Sequence, residues 1–286
     1  MPHFERDGLQ LGYEDDGSGL PLVLLHGLSM SLRTWDRFLP DLTRRFRVVR
    51  LDQRGHGESS HASGTYVLDT YLADTIAFLE DIVREPSMLV GHSLGGVIAH
   101  GVAQMRPDLV RSVLLEDPPL YVVDRMREGQ ERGEASSVAS MFPLMQQLSR
   151  DMQARNAPVD EWDSMLANIP TLSGGGTMSE VLGPEVTRAM ADAFSRLDPD
   201  IFTPATEGSA ISGAPDPSKP LDCPAVVLRA DPNLGPAFSP EDEDRFLRTN
   251  PHARVVVFEG ASHQLHDEQP DRFMDELLAL AAGVKS

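Results

Sequence analysis

Short unbroken apolar runs alternate with helical stripes over the first 117 positions. "PLVLLHG" (Pro21 to Gly27), "FRVVRLD" (Phe46 to Asp52), "SMLVGHS" and "VRSVLLED" (Val110 to Asp117) each read as a strand apolar on both faces. Between them lie a helix near Ser31 to Arg45 and a longer one from Tyr66 to Val83, apolar at Leu68, Tyr71, Leu72, Ile76 and Leu79. "LGGVIAHGVAQM" predicts a third helix, ending before Pro107. The opening segments, "FERDG" and "LQLGYEDDG", read as a hairpin. Strand–helix repetition with buried strands implies a mostly parallel sheet with helices on both faces.

The pattern breaks after Asp117. From Pro118 to about Pro220 no buried strand is evident, and helical stripes take over: Met141, Met145, Leu148 and Met152, then Val186, Met190, Phe194 and Leu197. Seven of the chain's 12 methionines fall in this stretch, which closes in the loop-like "TPATEGSAISGAPDPSKP". Alternation resumes with "PAVVLRA" (Pro224 to Ala230) and "ARVVVFEG" (Ala253 to Gly260), and a last helix runs from about Pro270 to Ala282. The expected organisation is one α/β core, residues 1–117 and 221–286, interrupted by a helical insertion at 118–220.

Composition narrows the function classes. With 25 basic against 44 acidic residues the formal charge is −19, which disfavours nucleic acid and anionic membranes as partners. No apolar run approaches the roughly 20 residues of a membrane span, and the first residues lack the pattern of a signal peptide. One cysteine, Cys223, allows no internal disulfide. A cytoplasmic protein is expected.

The chemistry centres on Gly91-His92-Ser93-Leu94-Gly95, a G-x-S-x-G between a buried strand and an apolar helix. A serine on such a turn is held up for attack, and the helix that starts there directs free N–H groups at the site. The alternative, a glycine-softened turn with an idle serine, loses ground because a base is also at hand. His263, in "EGASHQLHDEQPDRF", follows the last strand and can reach the turn from the sheet edge. His266 is the runner-up. His26 and His56 precede glycines in loops and are expected to order backbone, and His92 to pack in the core. No histidine or cysteine spacing suggests a metal site, and no cofactor is expected.

Taken together, "LLHGLSMS", "LDQRGHGES", "LVGHSLGG" and "GASHQLHDEQPDRF" resemble the α/β-hydrolase superfamily in its cap-bearing branch. The resemblance implies an α/β-hydrolase fold in which 118–220 forms a helical cap. It implies an oxyanion hole from the backbone N–H groups of Leu28 and Leu94, and a Ser-His-acid triad. The acid is where this chain departs from the family pattern. Family members often carry an aspartate three residues past the strand that here ends at Ala230, and Asn233 stands in that place, with Asp231 two residues early. Glu116, in "LLEDPP", matches the glutamate position of zearalenone lactonases. The triad is therefore read as Ser93, His263 and Glu116, with Asp231 and then Asp117 as alternatives.

The expected function is hydrolysis of a carboxylic ester or lactone with a mostly apolar acyl or alcohol portion, through an acyl-enzyme. Macrolactone hydrolysis, C–C bond hydrolysis and cofactor-free perhydrolysis use the same triad. A serine at the turn argues against epoxide and haloalkane chemistry, which in relatives runs through an aspartate. A catalytically silent ligand-binding protein is the non-enzymatic alternative.

Overall fold

The computed structural model describes residues 1–122, 124–125, 137–171, 175–207 and 216–283. Eight strands form one sheet: β1 (His3–Arg6), β2 (Leu9–Gly17), β3 (Leu20–Leu25), β4 (Phe46–Leu51), β5 (Ser87–His92), β6 (Val110–Glu116), β7 (Ala225–Ala230) and β8 (Arg254–Phe258). Their order is β1-β2-β4-β3-β5-β6-β7-β8. β1, β2 and β4 pair antiparallel, and every pair from β4 through β8 is parallel.

Strand parity divides the core into two layers. Val23, Leu25, Leu89, Val113 and Leu115 face one layer, against Tyr71, Phe78 and Ile98. Leu22, Leu24, Val90, Leu114 and Leu228 face the other, against Trp35, Phe38, Phe273 and Leu277. The strands are continuous apolar runs because both faces are covered. Helices α1 (Leu39–Leu42), α2 (Leu68–Phe78) and α3 (Leu94–Met105) supply part of that cover.

Two predicted helices differ in detail. The 31–45 segment is a 3-10 turn, Leu32–Phe38, capped by Ser31 and followed by the single turn α1 with Pro40 inside its start. The 66–83 segment is α2 followed by a π-helical turn, Leu79–Val83, which Arg84 ends at φ 64°.

Between β6 and β7 the described residues are helical: α4 (Ser137–Ala154), α5 (Val159–Ala167), α6 (Met178–Leu182), α7 (Pro184–Arg196) and α8 (Thr203–Glu207). Trp162 and Phe194 are buried between α5 and α7, their rings stacked 6.1 Å apart. The C-terminal end of α7 is fastened to the loop after β4. The Tyr66 hydroxyl donates to Asp198 at 2.5 Å, the Asp198 N–H donates to the Gly55 carbonyl, and Arg196 pairs with Glu58. Residues 208–215 of the closing loop, and Met126, lie outside the described residues. After β7 come α9 (Pro240–Thr249), α10 (Leu265–Glu268) and α11 (Pro270–Gly283). Among the described residues no helix is long and apolar enough to cross a membrane.

The winding of the sheet reverses at its centre. From β3 the chain steps outward to β4, then crosses back to lay β5 on the other side of β3. Ligand sites in open α/β sheets form beyond the strand ends at such a reversal. The ends here carry Gly27 and Leu28 on one strand and Ser93 on the other.

Candidate active site

Ser93 joins β5 to α3 at φ 51°, ψ −114°, a strained conformation for a side chain other than glycine. Its N–H donates to the Glu116 carbonyl at 2.9 Å, tying the turn to the next strand. The glycines around it are required by close approach. A Cβ on Gly91 would lie 2.1 Å from the Gly95 carbonyl oxygen, and one on Gly95 would lie 2.2 Å from that of Leu25. The backbone of α3 thus starts against the end of β3. Gly27 is packed in the same way, since a Cβ there would sit 2.5 Å from His92 Nδ1 and 3.4 Å from Ser93 Cβ.

Leu28 follows directly. Its loop is held by two buried histidines, as the sequence suggested. His26 Nε2 accepts from the Gln53 N–H at 3.0 Å, and His56 Nε2 accepts from the Ser29 N–H at 3.2 Å. Burial pushes His26 down to about 3 and His56 to about 4, so both rings are neutral and able to accept. Leu94 opens α3, where its N–H has no intrahelical acceptor. Gly27, just before Leu28, packs against Ser93, and Leu94 follows the serine directly.

His263 lies in the loop between β8 and α10, its side chain 36% exposed. Its carbonyl accepts from His92 Nε2 at 3.0 Å, and the two rings are 4.8 Å apart, which brings the loop to the residue before Ser93. His92 is buried and lowered to about 3 by that burial, in keeping with a packing role.

The carboxylate against His263 is Asp117. Its Oδ2 is 2.7 Å from His263 Nδ1 and also accepts from the Ala237 N–H at 2.9 Å. Oδ1 accepts from the Phe238 N–H at 3.1 Å. Glu116, expected in this position, is not the partner of His263: both its oxygens face His266 Nδ1, each at 2.8 Å. Strand parity gives the reason. Glu116 continues the side of β6 that carries Leu114, towards Trp35 and His266, and Asp117 leaves the strand at φ 40° on the other side. Asp231 is elsewhere as well, accepting from the Asn233 and Gly260 N–H groups, which hold its carboxyl below the usual range. Asp117 is the first residue past the strand, before two prolines that stop the chain continuing it, and spacing alone does not separate it from Glu116.

Burial disfavours a charged His263, but the hydrogen bond and charge of Asp117, with the charge of Glu116 behind it, outweigh burial. The result is a pKa above the ordinary histidine value. The arrangement is a serine on a strained turn at the start of α3 and an imidazole oriented through Nδ1 by a buried carboxylate.

A family model for α/β hydrolases matches residues 22–276. The chain belongs to the α/β-hydrolase family. Among curated relatives of this hydrolase-family chain, 2-(acetamidomethylene)succinate hydrolase of Mesorhizobium japonicum is 26% identical over 266 residues, 92% of this chain and 88% of its own length. A non-heme chloroperoxidase of Streptomyces lividans is 38% identical over 122 residues, 41% of this chain and 44% of that one. The solved enol-lactonase of Burkholderia xenovorans LB400 superposes with a TM-score of 0.72 at 21% identity, over 98% of this chain and 100% of its own, a likeness of fold.

A cleft of about 740 Å³ separates the 3-10 turn Leu32–Phe38 from α7. Leu182, Val186, Ala189, Met190 and Met30 give it apolar walls, and charges such as Arg33 and Glu185 stand among its other lining residues. Its lining contains neither Ser93 nor His263. Along the chain its lining comes near Leu28 and His263, with Met30 two residues past the first and Asp267 four past the second. Among the described residues no cluster of three or more metal-ligating side chains is found.

Proposed function

We propose that this α/β-hydrolase family member is a serine hydrolase that cleaves a carboxylic ester or lactone through an acyl-enzyme. The observation that carries the reading is the 2.7 Å bond between His263 Nδ1 and the buried Asp117, beside the strained Ser93. Asp117 takes the role first expected of Glu116. With Nδ1–H committed to Asp117, His263 presents Nε2 as an acceptor.

The steps follow from that tautomer. Ser93 Oγ attacks the substrate carbonyl carbon as its proton passes to His263 Nε2. The oxyanion accepts from the Leu28 and Leu94 N–H groups, each donor worth about 2.7–4 kcal/mol of barrier. The C–O bond breaks, the leaving alkoxide takes the proton from His263, and Ser93 is left acylated. Water attacks the acyl carbon, gives a proton to His263, and the carboxylic acid leaves as Ser93 recovers its proton. Asp117 keeps the Nδ1–H of His263 as its hydrogen-bond partner throughout and stabilises the imidazolium.

The apolar walls of the cleft between the 3-10 turn and α7 support a substrate with an apolar acyl or alcohol portion. The charge of −19 disfavours nucleic acid or an anionic membrane as partner. A second reading, cofactor-free perhydrolysis on the same acyl-enzyme, draws on the 38% identity to the chloroperoxidase. In it, peroxide replaces water in the second half-reaction. A series of p-nitrophenyl esters of increasing acyl length, with and without hydrogen peroxide, separates the two. The hydrolase reading expects turnover in water that Ser93→Ala abolishes, and an unchanged rate in that variant overturns it. A native protein that also resists a fluorophosphonate probe would be a silent binding protein.

A further inference from the structure

Next to the Asp117–His263 pair lies a second acid–imidazole pair that the steps above do not use. Glu116 Oε1 accepts from the His266 backbone N–H at 2.9 Å, and both its oxygens are 2.8 Å from His266 Nδ1. The far nitrogen, Nε2, is 2.9 Å from Thr34 Oγ1. Both side chains are fully buried, with the Trp35 ring tilted against that of His266 at a centroid distance of 4.6 Å.

Threonine, histidine and glutamate thus stand in the order of nucleophile, base and acid, and Thr34 lines the cleft. Charge decides against a second nucleophile. Burial disfavours the His266 imidazolium, yet the charges of Glu116 and Asp267 outweigh it and raise the ring to about 9. Both ring nitrogens of an imidazolium donate, so His266 has no lone pair with which to take a proton from Thr34. The pair is an ion pair, and a buried ion pair is weak as a source of stability but effective at fixing a geometry.

What it fixes is the segment that carries His263. His266 follows His263 by three residues, and Glu116 precedes Asp117 by one. The dipeptide Glu116-Asp117 therefore grips the same loop at two points, by ring and backbone at His266 and by the ring at His263. The charged and titratable groups around the pair are His92 from β5, His263 and Asp117, Asp267 and Glu268 on α10, and Arg37 from the 3-10 turn, 3.9 Å from Asp267. At His263 the charge of Glu116 favours the imidazolium and that of His266 disfavours it, so the two oppose each other there.

We propose that the Glu116–His266 ion pair is a positioning device: it holds the loop that presents His263 to Asp117 and offsets the charge of Glu116, leaving Asp117 as the unshielded carboxylate at that ring. The proposal rests on His263 acting as the base.

Two measurements test it. The first is independent of catalysis: ring-nitrogen NMR of the native protein across pH 6 to 9. The His266 imidazolium is expected to persist at pH 8, and a ring neutral at pH 7 overturns the proposal. The second compares Glu116→Gln, His266→Gln and the double variant. Each single change removes the nearer partner of the other buried group, His266 keeping Asp267 at 3.5 Å, and is expected to lower kcat by about tenfold with KM within a few-fold. The double variant removes the same grip and is expected to lose no more than either single change. Losses that multiply in the double variant overturn the proposal. If the single variants fail to fold, the native titration still decides. If Ser93→Ala stays active while His266 titrates as expected, it is the hydrolase reading that fails and not the ion pair.

Discussion

Replacing Asp117 by Asn is the sharpest perturbation the site offers. The carboxylate faces three well-placed donors, two on Oδ2 from Ala237 N–H and His263 Nδ1–H, and one on Oδ1 from Phe238 N–H. An asparagine has one acceptor oxygen. If that oxygen serves Phe238, the amide NH₂ meets the Ala237 N–H donor to donor and can satisfy His263 only as an acceptor. The imidazole then carries its proton on Nε2, facing Ser93, and cannot act as base. A wrong tautomer in this arrangement costs about 10⁴ in kcat, or about 5 kcal/mol of barrier at 1.36 kcal/mol per decade. The unpaired Ala237 amide adds roughly 1–3 kcal/mol of lost stability. The assay is steady-state hydrolysis of a p-nitrophenyl ester at pH 8, beside urea denaturation to confirm folding. Glu116→Gln, measured in parallel, should lose only about tenfold, because its carboxylate does not touch the base. If Asp117→Asn keeps a tenth of its activity while Glu116→Gln or Asp231→Asn abolishes it, the assignment of the acid is wrong.

Other outcomes follow from the same geometry. His263 must be neutral to accept the Ser93 proton, and its pKa is raised, so kcat/KM should fall as pH drops through a value above 6.5; a limb below 6 contradicts the Asp117 pairing. Gly95→Ala places a Cβ 2.2 Å from a backbone oxygen that cannot yield, and should leave no folded, soluble protein at 25 °C; a stable variant would show the β3–α3 contact to be looser than described. His100 is buried with no partner on either ring nitrogen among the described residues, and lies near 4 because of that burial. The unfolded chain takes up this proton near 6.5 and the native chain only near 4, so stability is full above that window and falls through it by roughly 3 kcal/mol. His100→Leu should therefore raise the urea midpoint at pH 5 more than at pH 8, and an equal or reversed effect refutes the argument.

The sheet was legible because burial on both faces writes itself as unbroken apolar runs, and all eight strands fall in segments read from the sequence as runs or as a hairpin. The serine and its base were legible for a different reason: each sits where a strand must end. The identity of the acid was not. Glu116 and Asp117 are adjacent, and His263 and His266 are one helical turn apart, so either carboxylate could be assigned to either ring from spacing alone. Strand parity and the φ of 40° at Asp117 decide it, and both belong to the folded backbone. Helix α9 was missed although Ser239 and Asp242 form a capping box before Phe246, a signal present in the sequence. The 3-10 and π-helical turns were read as plain α-helix because apolar spacing does not separate those forms.

The reversal of winding at β3 and β5 has a consequence for how the protein comes to life during folding. Gly27 and Ser93 are neighbours across that junction yet distant in the chain, and Asp117 meets His263 across 146 residues. Every part of the site closes a long loop, and long loops close late because their entropy must be lost before any contact rewards it. Activity should therefore return last in refolding, after fluorescence and helicity. No fragment ending before β8 carries the site, so enzyme turnover doubles as a reporter of complete folding.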